Sequence, residues 1–199
     1  MNRRFWIAAT LVTLLTAGVI QAQQVDASFG VGTILAPSAA NASGNYSSQS
    51  LRGGAYPVIR GDFLLHKNYG IMGEVSWRAS QNNYQGTSPY RPLFWDFNGI
   101  YAPRLGDKAG LELSAGIGAE SIRFYQPFYY CSFYSCTNYT SSNHFMGHFG
   151  GGLRYYFHGG AFIRPEADFY LIRNNYEFSS PYAVRLAHPS AIRLAEDNF

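Results

Sequence analysis

Apolar and polar residues alternate along most of this sequence. Across residues 71–78 the odd positions are Ile, Gly, Val and Trp, whereas the even positions are Met, Glu, Ser and Arg. Alternation with a period of two gives a β-strand one apolar and one polar face. The pattern recurs and predicts eight strands, at 27–35, 59–66, 71–78, 94–101, 111–120, 148–157, 163–172 and from Tyr182 onwards.

The connections between these strands alternate in length. Three are short, at 67–69, 103–108 and 158–160, and the other four are longer and rich in Ser, Asn, Gly and Tyr, at 37–53, 80–92, 126–143 and 173–180. Short turns at one end and long loops at the other are typical of an up-and-down transmembrane barrel. The sequence therefore predicts an all-β fold, an eight-stranded antiparallel up-and-down transmembrane β-barrel.

Residues 1–22 have the pattern of a secretory signal peptide. Arg3 and Arg4 precede an uncharged apolar run from Phe5 to Ile20, and Ala22 suits a cleavage site. The run is shorter than the ~20 residues that a membrane-spanning helix needs, which favours cleavage over an uncleaved anchor. We expect a cleaved signal peptide at 1–22, followed by a barrel at 23–188.

The composition is low in charge and rich in aromatic residues. Charged residues make up 14% and aromatic residues 17% of the chain, whereas soluble domains have about 25% charged residues. This profile excludes a disordered chain and a coiled coil. The formal charge of +3 falls to about +1 without Arg3 and Arg4, so charge gives no support to nucleic-acid binding.

Two features bear on which face of the strands meets lipid. A soluble lipocalin-like barrel turns its apolar face inward, whereas a membrane barrel turns it outward, and both produce alternation. Aromatic residues cluster at strand ends, as in interfacial girdles: Tyr56, Trp77, Tyr101, Tyr155 and Phe157. The polar face carries charges of both signs in similar number, which suits a barrel interior. Both features favour lipid on the apolar face.

This combination resembles the small eight-stranded outer-membrane barrels of Gram-negative bacteria, of the outer-membrane-protein-A and opacity-protein type. The segments 163–166 (IRPE) and 149–154 (FGGGLR) look like recurrent pieces of such barrels. The resemblance implies a location in the bacterial outer membrane in contact with its lipid, roles from structural anchoring to adhesion, and no cofactor.

The C-terminus departs from the pattern of these barrels, which usually close with a regular amphipathic strand ending in an aromatic residue. Phe199 is terminal, but stepping back by two gives Asp197, Ala195 and Arg193, which do not form a lipid-facing row. Pro189 also removes a hydrogen-bond donor from a strand. We therefore expect the last strand to end at His188 and residues 189–199 to form a tail.

The polar faces together place charges of both signs inside the barrel. An eight-stranded barrel is just wide enough for side chains to fill, and buried charges need partners. We therefore expect a salt-bridged, plugged interior; catalytic carboxylate pairs and a narrow ion-conducting pore are the alternatives. The expected network comprises Arg60, Asp62, Glu74, Arg78, Asp96, Glu112, Glu120, Arg154, Arg164, Glu166, Asp168 and Arg185.

The third long loop contains both cysteines. Cys131 and Cys136 are expected to form a disulfide, since exported proteins with two cysteines usually pair them. Metal binding with His144 or His148 is the alternative, although the spacing matches no standard site.

The same loop is rich in aromatic side chains, and we expect an exposed cluster of Phe128, Tyr129, Tyr130, Phe133 and Tyr134. Such clusters mark contact surfaces; the alternative is a membrane girdle whose tip packs on itself. We expect no catalytic or metal-binding residue and no enzyme. The expected function is structural or adhesive, with the loops of a monomer contacting extracellular or host-surface ligands.

Overall fold

The computed structural model describes residues 24–36, 51–84, 88–132, 136–158, 160–175, 177–178 and 182–196. The signal peptide expected at residues 1–22 lies outside these ranges, as do Phe133 and Tyr134. Within the ranges, no helix is long and apolar enough to cross a membrane.

The described residues form antiparallel strands that follow one another around a ring. β4 continues the line of β3, β8 leads into β9, and β10 leads into β11, so the ring has eight strand positions. The predicted eight-stranded barrel is confirmed. The strands are β1 (Gln24–Leu35), β2 (Tyr56–His66), β3 (Tyr69–Trp77), β4 (Asn82–Tyr84), β5 (Ser88–Tyr101), β6 (Ala109–Cys131), β7 (Cys136–His158), β8 (Ala161–Ile163), β9 (Glu166–Ile172), β10 (Tyr182–Ala187) and β11 (Ser190–Glu196).

The barrel closes between its first strand and its last two. β1 pairs with β10 through residues 32–35 and with β11 through residues 24–29. The break between β10 and β11 falls at Pro189, and the break between β8 and β9 falls at Pro165, because proline cannot donate to the ladder. The two breaks lie side by side, and the Arg164 amide donates to the Pro189 carbonyl at 2.9 Å.

The tail expected at residues 189–199 is wrong for residues 190–196, which form β11 and complete the barrel. The alternation that begins at Tyr182 continues through the break. Ile192 and Leu194 point outward, whereas Ala191 is buried. The prediction of a tail rested on the odd-numbered positions, counted back by twos from Phe199, but in this strand the even-numbered positions face outward.

The outer wall of the barrel is apolar. Phe97 is 67% exposed and Leu194 is 66% exposed, and large apolar side chains on most of the strands are similarly open. Soluble monomers rarely expose such a continuous apolar surface. On β7 this face runs from Phe145 to Phe157, about 30 Å along the barrel axis for a tilted strand, which matches a bilayer's hydrocarbon core. The soluble lipocalin-like alternative is therefore wrong.

An aromatic girdle lies at the end of the barrel with the short connections, called the turn end here. Tyr69, Tyr101, Tyr155 and Phe157 are exposed there, and the rings of Tyr69 and Tyr101 lie 4.8 Å apart. Tyr56 was expected in a girdle but is fully buried inside the opposite, loop end. Its position on β2 has the same parity as the inward Val58 and Arg60.

Candidate functional site

All twelve charged residues expected inside the barrel are buried there. Ten of them, together with other buried groups, fill the middle of the interior. Strand register brings several ion pairs together directly, because Arg60 lies opposite Glu74 and Arg185 lies opposite Asp168 on neighbouring strands. Other contacts cross the lumen and join strands that are not neighbours.

Two arginines near the turn end bind carboxylates across the lumen. Arg154 donates to Asp26 at 2.8 Å, to Asp62 at 3.0 Å and to Glu112 at 2.6 Å. Arg164 donates to Asp62 at 3.0 Å and to Glu112 at 2.8 Å. These contacts connect β1, β2, β6 and β7 with the break between β8 and β9.

Arg164, which lies between β8 and β9, also binds two further groups. Its Nε donates to Glu166 at 3.0 Å, and its Nη2 donates to the Ser28 hydroxyl at 3.2 Å. This side chain is fully buried and every one of its three nitrogens has a partner.

Two further arginines fill the next layer of the interior, towards the loop end. Arg60 contacts Glu74 and lies 3.1 Å from Glu166. Arg185 lies 2.6 Å from Glu74 and 2.8 Å from Asp168. Because Glu74 and Glu166 each contact both arginines, the network is continuous rather than a set of separate pairs.

Sequence reasoning missed His148, Asp26 and Arg193 as ionisable members of this network. His148 contacts Asp96 at 3.3 Å and Asp168 at 3.0 Å. Asp26 binds Arg154, and the Arg193 Nε lies 3.6 Å from Asp26. Parity alone identifies Asp26, since it shares the inward row of Ser28, but the predicted strand began at Ala27, three residues after β1 begins. Arg193 was assigned to the tail.

Glycine makes room for the network on β7. A Cβ added at Gly150 would lie 2.4 Å from the Ser114 hydroxyl and 2.5 Å from an Asp168 carboxylate oxygen. A side chain at this inward position would therefore displace part of the network.

Two of the predicted charged residues are buried but lie apart from this network, towards the loop end. The Arg78 guanidinium lies 3.5 Å from the Tyr90 hydroxyl and packs against Gly54, whose φ of 91° favours glycine. Glu120 accepts a hydrogen bond from Asn175 at 3.2 Å. The expectation of one network containing all twelve charges is therefore wrong for Arg78 and Glu120.

An apolar cap fills the interior at the loop end. The rings of Tyr90 and Phe178 lie 5.0 Å apart, and those of Phe94 and Tyr170 lie 5.4 Å apart. Aromatic pairs at such distances add to the stabilisation from burial. Phe94 and Tyr170 have the same parity as the inward Asp96 and Asp168, but the sequence pattern did not predict a cap. The buried cap residues are Ile34, Leu51, Tyr56, Tyr90, Phe94, Ile122, Met146, Tyr170, Ile172, Phe178 and Ala183.

The segment after β9 is fixed to β7 by polar contacts beyond the cap. The Ser142 hydroxyl donates to Glu177, and the His144 Nε2 lies 3.1 Å from Glu177 and 3.1 Å from Ser142. Burial raises the pKa of the Glu177 carboxyl, but hydrogen bonds from Ser142 and the backbone and the nearby His144 outweigh it, so that this pKa lies below its ordinary value. Serine and glutamate share one imidazole nitrogen, so these three residues do not have the geometry of a catalytic triad.

The third long connection is a β-ribbon rather than a loop. β6 and β7 stay paired from Tyr125 opposite Tyr139, through an irregularity, to Cys131 opposite Cys136. The predicted Cys131–Cys136 disulfide is confirmed, and it closes the end of the ribbon. Tyrosine and threonine favour extended backbone, which explains why strands continue here. Within the described residues, no group of three His, Cys, Asp or Glu side chains is arranged to hold a metal ion.

The ribbon carries exposed aromatic side chains. Phe128 is 53%, Tyr129 is 70% and Tyr130 is 57% exposed. The rings of Phe128 and Tyr130 contact each other edge to face at 5.1 Å.

No protein-family model and no curated protein matches this sequence. Solved structures do match. Neisserial surface protein A aligns with a TM-score of 0.57 and 8% identity, over 85% of this chain and 95% of that one. The attachment invasion locus protein Ail of Yersinia pestis, in complex with the heparin analogue sucrose octasulfate, aligns with a TM-score of 0.54 and 10% identity, over 85% and 97%. A major outer membrane protein from Thermus thermophilus aligns with a TM-score of 0.52 and 11% identity, over 85% and 99%.

This chain has the fold of the small eight-stranded outer-membrane β-barrels. In outer-membrane barrels the short turns face the periplasm and the long connections face outward. The aromatic girdle at the turn end is then periplasmic. The apolar cap and the ribbon formed by β6 and β7 then lie at the external end.

Proposed function

We propose that this outer-membrane barrel is a closed, non-enzymatic monomer whose external ribbon makes contacts at the cell surface. The observation that carries the proposal is the ribbon itself. The ribbon extends from Ala119, the register partner of the lipid-facing Trp95, to Cys131. The paired strand β7 covers this span in nine residues, from Phe145 to Cys136, which corresponds to roughly 30 Å along the strand. Phe128, Tyr129 and Tyr130 are exposed on this projection.

Exposed aromatic side chains on a braced ribbon suit a contact surface. Tyrosine provides a large contact area at low entropic cost, and the disulfide restricts the end of the ribbon. The neighbour Ail was solved with a heparin analogue, so an extracellular polyanion is one class of ligand to test. Closure of the sheet leaves no barrel edge for strand pairing with a second chain, which supports a monomer.

The interior supports a closed barrel rather than a pore. Arg164 reaches from the β8–β9 break to residues of β1, β2 and β6 across the lumen. Above this layer the apolar cap closes the external end. Ions crossing the barrel would have to displace both layers.

Conductance tests the closed interior. We expect the protein, reconstituted in a planar lipid bilayer in 1 M KCl, to produce no stable current steps. Small ion-selective steps would support the narrow-pore alternative, and steps large enough for sugar permeation would refute the closed barrel altogether.

A binding assay tests the role of the ribbon. Cells displaying the wild-type protein should adhere to epithelial monolayers or to immobilised heparin, and the triple variant Phe128→Ser/Tyr129→Ser/Tyr130→Ser should lose most of this adhesion. Leu105→Ser is the matched control, because Leu105 is 65% exposed at the turn end. Equal adhesion by the triple variant and the control would remove the support for a contact role.

A further inference from the structure

Two arginines face outward from the barrel wall, directly opposite each other on neighbouring strands. Arg91 of β5 pairs in register with Arg123 of β6, and both have the parity of the lipid-facing residues. Like charges at opposed positions destabilise a sheet. Among the described residues, no carboxylate forms an ion pair with either guanidinium to offset this repulsion.

The two guanidinium groups are held against the wall by their neighbours. Arg91 donates to the Ala79 carbonyl at 3.3 Å and lies 6.0 Å from the centre of the Tyr125 ring. Arg123 lies 4.9 Å from the centre of the Tyr139 ring. The Arg91 Nε is buried and has no hydrogen-bond partner within the described residues, so it is not a donor that a ligand can reach. Both arginines are half-buried, and this packing positions the pair so that their terminal guanidinium nitrogens are the donors that a ligand at the surface can contact.

The position of the pair corresponds to the headgroup layer of the outer leaflet. Arg91 lies four residues beyond the exposed Trp95 on β5, at the external end of the apolar wall, which is roughly 13 Å along the strand. Tryptophan is enriched at the membrane–water interface, so charges just beyond it lie among lipid headgroups.

An apolar groove lies below the pair on the same side of the barrel. Gly61 and Gly73 are opposed on β2 and β3, and their missing side chains leave a groove of about 410 Å³ in the lipid-facing wall. Its apolar walls include Val75, Trp95 and Phe97. Because this surface meets hydrocarbon, the groove suits an acyl chain.

We propose that Arg91 and Arg123 bind the phosphate of a phosphorylated outer-leaflet lipid and that one acyl chain of this lipid lies in the Gly61–Gly73 groove. A guanidinium group presents paired N–H donors that match phosphate oxygens, and charge-assisted hydrogen bonds of this kind are strong. A phosphate between the two arginines offsets their repulsion. The proposal concerns the membrane-facing wall and does not depend on the role of the ribbon.

Lipid retention tests the proposal. The purified full-length barrel in detergent is mixed with bisphosphorylated lipid A, and bound lipid is measured by native mass spectrometry. We expect Arg91→Gln/Arg123→Gln to bind this lipid about 30-fold more weakly, since each arginine near a membrane surface contributes about fivefold. Lipid A stripped of both phosphates should bind the wild type and the variant equally. Gly73→Leu, which fills the groove, should also weaken binding of lipid A.

The control variant removes two charges from the other end of the barrel. Arg104→Gln/Lys108→Gln should bind lipid A like the wild type, and a heat-dependent shift in gel mobility checks that every variant is folded. Equal lipid A binding by the two double variants would overturn the proposal. Displacement of lipid A by equimolar inorganic phosphate would show a free-anion site instead. If both arginines were needed to bind sucrose octasulfate but not to bind lipid A, the pair would be a polysaccharide site, and this result would also overturn the proposal.

Discussion

Replacing Arg164 with methionine tests whether the interior network stabilises the barrel. Arg164 donates to Asp62, Glu112 and Glu166 and is fully buried. Methionine retains an unbranched apolar stem and the backbone amide, so Arg164→Met removes the charge and leaves the hydrogen bond to the Pro189 carbonyl possible. The variant leaves three buried carboxylates with fewer cationic partners.

The size of the effect follows from the partners that remain. Breaking a buried ion pair by removing one member costs about 3–5 kcal/mol. Arg154 still binds Asp62 and Glu112, and Arg60 still contacts Glu112 and Glu166. We therefore expect a loss of about 3 kcal/mol in the free energy of unfolding, at the lower end of this range.

Urea unfolding of the protein folded into lipid vesicles, followed by tryptophan fluorescence, measures this loss. Arg173→Met is the matched control, since Arg173 is exposed just beyond β9 and surface arginines contribute about 1 kcal/mol or less. If Arg164→Met and Arg173→Met lower the free energy of unfolding equally, the network does not stabilise the barrel and the reasoning is refuted.

Three other predictions follow from single features. Cys131→Ser/Cys136→Ser should speed proteolysis at the end of the ribbon but leave the free energy of unfolding of the barrel unchanged, because the disulfide lies beyond the barrel wall. A large fall in the free energy of unfolding of the barrel would contradict this. Gly118→Ala should lower the free energy of unfolding by about 1–3 kcal/mol in the same urea titration, because the added Cβ would lie 2.1 Å from the Trp95 carbonyl oxygen. The control Gly147→Ala should be nearly neutral, because the nearest atom to its added Cβ lies 3.8 Å away. The pKa of Glu177 is lowered, so ionisation of this carboxyl stabilises the segment after β9 above the ordinary glutamate pKa of about 4.3, and this contribution should be lost as pH falls through the lower folded value. Protection from hydrogen exchange in this segment, measured relative to the intrinsic exchange rate at each pH, should therefore fall in acid in the wild type but not in Glu177→Gln.

The alternation in the sequence could predict which way each side chain points, but not what it meets. Parity placed Glu112 and Arg164 inside because successive strand residues point to opposite faces. It could not place Arg78 and Glu120 apart from the network, since their depth depends on the tilt and stagger of strands. The apolar cap was missed because part of it, such as Phe178, comes from a connection that has no periodic pattern.

The last strand shows how one local irregularity changed the prediction for a whole segment. Pro189 breaks the ladder, but Gly30 on β1 accommodates it, since a Cβ there would lie 2.3 Å from the Pro189 Cα. The neighbouring break at Pro165 lets the Arg164 amide bind the Pro189 carbonyl while its side chain crosses to Asp62. A single residue thus joins the closing seam of the barrel to the ion-pair network, and the irregular C-terminal segment is part of what closes the barrel.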